Sequence, residues 1–185
     1  MAGKYSRTPN LAFTLIELMV VIAIVALTLT STTPAMLELI HNNALRSEAA
    51  RLLSAINLMR SEAISRNSTV SMCPSSFVYD AVPVCSRNYS DGWIIYTNGD
   101  KDREVDVDTE TVLKAFEGLP AGYSLSNKAG TRNAFELISY LQDGSSRRNR
   151  TLLLCAPSPT RSPSWSIVMN RVGRPRLARG WGQCQ

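Results

Sequence analysis

The chain has 185 residues, a formal net charge of +5 and a mean hydropathy of −0.07. With 44% hydrophobic residues it is predicted to be globular outside its apolar N-terminal segment, and the remaining ~150 residues are enough for one domain with a sizeable core. The only histidine, His41, lies close to that segment, so no Ser/His/Asp or Cys/His catalytic arrangement is credible and an enzyme is not expected.

The N-terminal segment combines a polar leader with an apolar span. Residues 1–12 carry one lysine and one arginine, whereas residues 13–33 contain one charged side chain, Glu17. A helix of that length measures ~31 Å at ~1.5 Å per residue, which matches the apolar core of a bilayer. This pattern predicts a transmembrane helix, and the positive flank predicts a cytoplasmic N-terminus with everything after Pro34 across the membrane.

Glu17 needs a partner for its charge. A carboxylate inside an apolar span costs about 2.5–3.5 kcal/mol even on lenient insertion scales. Cleavage of the chain just before Phe13 would create an α-amino group one helical turn from Glu17, in the same chain or in a neighbour. A plain signal anchor and a secretory signal peptide are the alternatives, but the apolar region of a signal peptide is uncharged.

The string Ala-Phe-Thr-Leu-Ile-Glu at residues 12–17 resembles the processing site of type IV prepilins and type II secretion pseudopilins. The resemblance implies that a prepilin peptidase cuts between Ala12 and Phe13 and methylates the new N-terminus of Phe13. It also implies that Glu17 pairs with the N-terminus of a neighbouring subunit in a filament. Pro34 lies where pilins often have a helix-kinking proline, and Ala12 departs from the glycine that usually precedes the cut.

Residues 34–67 are predicted to continue the helix as an amphipathic segment that ends at Asn67. His41 lies near the membrane end of this segment and is interpreted as solvated. Apolar side chains recur at spacings of three and four and therefore form one stripe along the helix. The stripe consists of Leu45, Ala49, Leu52, Ile56, Met59 and Ala63.

The remaining residues, 68–185, are predicted to form a β-rich head. Short apolar or β-branched runs alternate with turn signals such as Asn98-Gly99. One long helix followed by many short strands predicts an α+β fold in which the stripe packs on an antiparallel sheet, and the resemblance implies a pilin-like fold. The predicted strands are Thr69–Cys73, Gly92–Thr97, Thr111–Phe116, Tyr123–Ser126, Phe135–Leu141, Thr151–Cys155 and Ser166–Met169.

The four cysteines all follow the apolar span, on the side predicted to be oxidising. Of the three possible pairings we favour Cys73–Cys85, which closes a short loop, and Cys155–Cys184, which ties down the C-terminal tail. Zinc is disfavoured because the sequence has no Cys-x-x-Cys pair.

The carboxylates of residues 100–108 have spacings that Ca²⁺ can use, but the segment lacks the glycine and terminal glutamate of an EF-hand. A solvated hairpin loop is therefore favoured, and no metal or cofactor is expected.

The C-terminal segment, residues 144–185, contains eight of the 20 basic residues, all of them arginine, and no acidic residue. Guanidinium groups bind phosphate bidentately, and Tyr140, Trp165 and Trp181 are candidate stacking surfaces for bases. Pairing with acids of neighbouring subunits, or solvation of a strand edge, is the alternative. The candidate DNA-binding residues are Arg171, Arg174, Arg176 and Arg179, which surround Gly173 and Pro175 and are expected to form one patch.

Several pieces of the chain resemble the GspH/FimT/FimU-like branch of minor pilin subunits. They are the string at residues 60–64, Cys73, the string at residues 91–95 and Gly-Arg-Pro-Arg at residues 173–176. In the FimT-like branch, a Gly-Arg-x-Arg segment is associated with DNA binding during natural transformation. The resemblance therefore implies a DNA-binding role for residues 173–176.

These features predict a single-pass protein of the bacterial inner membrane with its head in the periplasm. The chain is expected to enter a type IV pilus as a minor pilin at or near the tip and to help initiate assembly. Its implied partners are the prepilin peptidase, other pilins through the N-terminal helix, and double-stranded DNA. The alternative is the minor pseudopilin H of a type II secretion system, with no DNA binding.

Overall fold

A computed structural model describes residues 14–157 and 164–184, except for the side chains of residues 30–35. The chain divides into two units, one ending at Leu37 and the other beginning at Glu38. A single long helix, α1, is followed by a β-rich region with one short helix, α2, and a one-turn 3-10 helix, Tyr89–Asp91. The elements are α1 Leu15–Ser65, β1 Val70–Pro74, α2 Phe77–Asp80, β2 Gly92–Thr97, β3 Val112–Glu117, β4 Ser124–Asn127, β5 Ile138–Tyr140, β6 Arg150–Cys155, β7 Trp165–Met169 and β8 Pro175–Arg179.

In the first unit, the described residues from Leu15 to Leu37 belong to α1. Large apolar side chains along residues 15–29 are exposed, among them Leu15, Ile22 and Leu27. Within the described residues, no helix combines the length and the apolarity that crossing a membrane requires. The predicted transmembrane segment, residues 13–33, includes Phe13 and side chains outside this description and stays a prediction.

The C-terminal end of α1 is defined by Asn67, which adopts a left-handed conformation with φ 50°. Its backbone N–H donates to the Ile64 carbonyl, and the Ser68 N–H donates to the Ala63 carbonyl. This pair of bonds is a Schellman motif, which satisfies carbonyl groups that have no partner within the helix. The helix thus ends at Ser65, immediately before the predicted stop.

The apolar stripe of α1 forms one side of the main hydrophobic core. All six predicted stripe residues, from Leu45 to Ala63, are at most 1% exposed. They pack against Met72, Trp93 and Ile95 of one sheet and against a set of apolar side chains from a second sheet. This packing confirms the predicted α+β fold, with the helix on antiparallel strands. The second set consists of Leu125, Leu152, Leu154, Ile167 and Met169.

The strands form two four-stranded antiparallel sheets instead of the single predicted sheet. Sheet 1 has the order β3-β2-β1-β5, and sheet 2 has the order β4-β6-β7-β8. Seven strands overlap the predicted ones. The eighth, β8, is missed by the sequence pattern because Arg-Leu-Ala-Arg lacks β-branched and aromatic residues. It forms because it pairs along its length with β7, Met169 opposite Pro175 and Trp165 opposite Arg179.

Two disulfides fasten segments that lie outside the main core. Cys73–Cys85 and Cys155–Cys184 have Cα–Cα distances of 5.6 Å and 5.7 Å, and they are the pairs favoured from the sequence. The first holds the loop after β1 over the outer face of sheet 1, where Ile94, Tyr96 and Cys73 form a second, smaller core. The second fixes the C-terminal tail to β6.

Candidate functional site

The predicted processing site lies at the N-terminal edge of the described chain. Ala12 and Phe13 fall outside the described residues. Glu17 is in the first turn of α1, is exposed, and donates its backbone N–H to Thr14 Oγ1 at 3.3 Å. Pro34 lies within α1, which remains helical through that position. The roles assigned to these four residues stay predictions.

Arg51 links the middle of α1 to the end of sheet 1. Its guanidinium donates hydrogen bonds to the carbonyls of Glu117 and Gly118, at 2.8 and 3.0 Å, and to the carboxylate of Glu48. The same group lies 4.5 Å from the ring centroid of Trp93, which is a cation–π distance. The sequence shows only an arginine beside the apolar stripe, so this anchor depends on tertiary contacts.

Replacing Arg51 with glutamine is expected to lower the free energy of unfolding by about 2 kcal/mol, because two carbonyls lose a charged donor and Trp93 loses its cation. Urea denaturation of the full chain in nonionic detergent measures this change. Arg46→Gln is the matched control, since Arg46 is exposed on the same helix, and it is expected to change stability by less than ~0.5 kcal/mol. Equal losses in both variants would contradict an anchoring role.

The arginine-rich turn between β7 and β8 is held against the loop between β5 and β6. Gly173 has φ 81°, and a Cβ placed there would lie 1.9 Å from the Gly144 carbonyl oxygen. The Tyr140 hydroxyl donates to the Gly173 carbonyl at 3.1 Å. Arg60 of α1 donates its Nε–H to the Gly144 carbonyl at 3.0 Å, so the turn, the loop and the helix are connected through Gly144.

The four candidate DNA-binding arginines are all exposed, but they do not share one loop. Arg171 and Arg174 lie in the turn between β7 and β8, whereas Arg176 and Arg179 belong to β8. Because side chains alternate along a strand, Arg176 and Arg179 point to opposite faces of sheet 2. The expectation of a single patch is therefore wrong for Arg179.

Trp181 joins Arg176 in a cluster on the outer face of sheet 2. Trp181 is 42% exposed, and two cations lie near its ring, with Arg176 Cζ at 4.8 Å and Lys128 Nζ at 5.6 Å from the centroid. Ser166 Oγ donates to the Trp181 carbonyl at 2.7 Å, and the Cys155–Cys184 disulfide fixes the tail nearby. Lys128 follows β4, far from this tail in sequence, so no sequence signal could have assigned it to the cluster.

The other two predicted stacking surfaces are less exposed than Trp181. Tyr140 is fully buried, and this burial raises the pKa of its hydroxyl to about 12, so the group stays neutral. The prediction that Tyr140 stacks on a base is therefore wrong. Trp165 is partly buried and donates its Nε1–H to Asn42 Oδ1 of α1 at 3.3 Å, and its stacking role stays a prediction.

His41 is partly buried, so the prediction of a solvated side chain is wrong. Its Nδ1 lies 2.9 Å from the hydroxyl of Tyr123, and the two rings are 6.1 Å apart. Burial raises the pKa of the Tyr123 hydroxyl. His41 thus contributes to the contact between α1 and the segment that leads into β4.

In the acidic loop after β2, several carboxylates accept hydrogen bonds from backbone N–H groups of the same loop. Asp100 and Asp102 accept the backbone N–H groups of Asp102 and Glu104. Glu110 accepts the N–H groups of Gly99 and Asp106, and burial raises the pKa of its carboxyl. Over residues 14–157 and 164–184, no group of three or more potential metal ligands comes together.

Two family models match the chain. The prokaryotic N-terminal methylation motif matches residues 7–33, and the type II transport protein GspH matches residues 48–173. No curated protein matches the chain.

The fold is similar to that of the type IV minor pilin FimU from Pseudomonas aeruginosa strain PAO1. Its P21 crystal structure has a TM-score of 0.55 and 21% identity, covering 74% of this chain and 89% of FimU. Its P65 crystal structure has a TM-score of 0.52 and 18% identity, covering 72% and 91%. The minor pseudopilin EpsH from the Type 2 Secretion System of Vibrio cholerae has a TM-score of 0.46 and 15% identity, covering 72% and 95%. Because the GspH model spans more than half of the sequence, this chain belongs to the family of the type II transport protein GspH and carries the prokaryotic N-terminal methylation motif.

Proposed function

We propose that this chain is a minor pilin of a type IV pilus, incorporated at or near the tip, where it helps to initiate assembly. The observation that carries the proposal is the position of Glu17. This carboxylate lies in the first turn of α1, and the side chains around it on the helix are large, apolar and exposed. Such a surface needs apolar neighbours, and the carboxylate needs a cation. The α-amino group of an adjacent processed subunit supplies that cation.

In this proposal a prepilin peptidase cuts the chain between Ala12 and Phe13 and methylates Phe13. The match to the N-terminal methylation motif over residues 7–33 supports this step. Before assembly, the helix anchors the protein in the inner membrane with the head in the periplasm. In the filament, the N-terminal half of α1 packs against the corresponding helices of other pilins.

Mass spectrometry of the native protein is expected to show a chain that begins at N-methylated Phe13. Glu17→Ala is expected to lower incorporation into filaments at least about tenfold, because an unpaired α-amino group would remain in the apolar filament core. Glu104→Ala is the control, since Glu104 is an exposed carboxylate of the loop after β2, away from α1, and the change is expected to leave incorporation unchanged. Retention of residues 1–12, or normal incorporation of Glu17→Ala, would contradict the proposal.

A second function, DNA binding during natural transformation, is supported by the exposed arginines around β8. Arg171, Arg174 and Arg176 lie on or next to the turn anchored by Gly173, and no acidic residue occurs between residues 144 and 185. Arg176 also lies beside the exposed ring of Trp181. Sequence-independent capture of duplex DNA needs such unneutralised guanidinium groups. The alternative, a minor pseudopilin H of a type II secretion system, requires no DNA binding.

The affinity of the full chain for random duplex DNA is expected to fall steeply as salt rises, with a slope of about 0.9 per phosphate contact. Arg174→Gln/Arg176→Gln is expected to weaken binding at least about tenfold and to lower the slope by about 1.8. Arg46→Gln/Lys114→Gln, which removes two exposed cations elsewhere, is expected to weaken it less than about threefold. Undetectable binding at low salt would leave only the assembly role.

A further inference from the structure

A second cluster of arginines surrounds a cleft beside the loop between β5 and β6. The cleft has a volume of about 360 Å³ and lies between the loop after β2 and the segment that enters β6. Its lining includes Arg103, Arg147, Arg148 and Arg150 together with the ring of Phe135. We call this site the arginine cleft. None of its arginines is among the four candidate DNA-binding arginines at residues 171–179.

Most of the positive charge in the arginine cleft is not neutralised by protein carboxylates. In the described part of the chain, the one acidic residue that lines it is Glu136, which forms an ion pair with Arg150. Arg103 donates to the Ser86 carbonyl, and Arg147 donates to the Lys101 carbonyl at 3.2 Å. These carbonyls orient the guanidinium groups without cancelling their charge, and each group keeps further N–H donors for an anion.

The size and lining of the cleft favour a single nucleotide over a duplex. Its volume is at the lower end of the range for small-molecule sites, about 300–1,000 Å³, which is too small to hold a double helix. Phe135 is 40% exposed, and Arg103 lies 5.6 Å from its ring centroid. Proteins that bind single strands combine a positively charged groove for the backbone with aromatic rings on which the bases stack.

The arginine cleft is adjacent to the β7–β8 turn. The Ser146 N–H donates to the Arg171 carbonyl at 3.0 Å, and the Arg171 N–H donates to Asn149 Oδ1 at 2.8 Å. Arg147 and Arg148 lie between these two contacts in the sequence and are exposed. The arginine cleft and residues 171–176 are therefore close enough for one bound strand to reach both.

We propose that the arginine cleft binds one nucleotide of single-stranded DNA, with the phosphate held by Arg103, Arg147 and Arg148 and the base against Phe135. This inference rests on the DNA-binding proposal and extends it from duplex capture at residues 171–176 to a separate site for an unpaired strand. The two sites have different requirements, because the cleft needs an aromatic surface as well as charge.

The test measures binding of the full chain in nonionic detergent to a short labelled single strand and to the duplex formed with its complement. Arg147→Gln/Arg148→Gln is expected to weaken single-strand binding about tenfold and duplex binding less than about threefold. Phe135→Ala is expected to weaken single-strand binding about tenfold and to leave its salt dependence unchanged, since no charge is removed. Phe135→Tyr keeps the ring and is expected to bind as the wild type does.

The control for charge is Arg46→Gln/Lys114→Gln, and circular dichroism checks that each variant is folded. Full single-strand affinity in Phe135→Ala, equal losses for both probes in Arg147→Gln/Arg148→Gln, or stronger competition by polyglutamate than by the oligonucleotide would overturn the inference. Loss of duplex binding in Arg174→Gln/Arg176→Gln with no effect of the cleft variants would reject the cleft and keep the DNA-binding proposal. Absence of all DNA binding by the wild type would reject both.

Discussion

Gly173→Ala is expected to lower the free energy of unfolding of the head by about 2–5 kcal/mol. Gly173 has φ 81°, a left-handed conformation that costs a residue with a side chain about 1–2 kcal/mol. The added methyl group would also lie 1.9 Å from the Gly144 carbonyl oxygen and 2.9 Å from Tyr140 Cε1. Relieving this overlap must move the turn or the loop between β5 and β6, which adds a packing cost of about 1–3 kcal/mol.

Gly180 provides a matched control for the conformational part of this cost. It has φ 67°, but a Cβ added there would meet nothing within 4 Å. Gly180→Ala is therefore expected to cost only about 1–2 kcal/mol. Urea denaturation of both full-length variants, followed by circular dichroism, gives the difference between them. If the two variants lose the same stability, the close approach of Gly173 to Gly144 does not hold the turn in place.

Removing the ring of Trp93 is expected to cost about 4 kcal/mol of unfolding free energy. Trp93 is fully buried between α1 and sheet 1, and its ring stacks on Phe116 at 5.5 Å and lies 6.4 Å from Tyr89. Trp93→Ala leaves a large cavity in the main core and removes the surface over which Arg51 lies. Such a loss is a large fraction of the stability of a domain of this size.

Trp93→Phe is the control, because a phenyl ring keeps part of the stacking on Phe116 and is expected to cost about 1–2 kcal/mol. Combining Arg51→Gln with Trp93→Ala tests the cation–π contact separately. The two single losses should exceed the double loss by about 0.5–2 kcal/mol if Arg51 and Trp93 stabilise one another. Strict additivity would contradict a direct contribution of the pair.

The contacts of Trp93 and of Gly173 also connect the fold to the proposed activities. Trp93 and Arg51 fix α1 on sheet 1, whereas Arg60 and Gly144 connect the end of α1 to the turn that carries Arg171 and Arg174. A variant that loosens this second connection is expected to disturb the arginine surface before it unfolds the core. Gly173→Ala should therefore weaken DNA binding even at temperatures where the head remains folded.

The sequence alone predicts the features that depend on short-range patterns, namely the buried face of the helix and most of the strands. The stripe from Leu45 to Ala63 is buried as predicted, because helix periodicity places those side chains on one face whatever they pack against. Seven strands were predictable for the same reason, since alternation and turn residues act over a few positions. The string Ala-Phe-Thr-Leu-Ile-Glu at residues 12–17 is also local, and its resemblance to a prepilin processing site predicts the pilin family from sequence alone.

Tertiary contacts decided the features that no local pattern encodes. β8 exists because β7 lies beside it, and Trp181 acquires its second cation from Lys128 across the sheet. The division into two sheets and the arginine cleft likewise bring together residues that are distant in sequence. Strands form hydrogen bonds, and charges and rings form contacts, only when they are close in space. That closeness is set by how the core packs and cannot be derived from the order of residues along the chain.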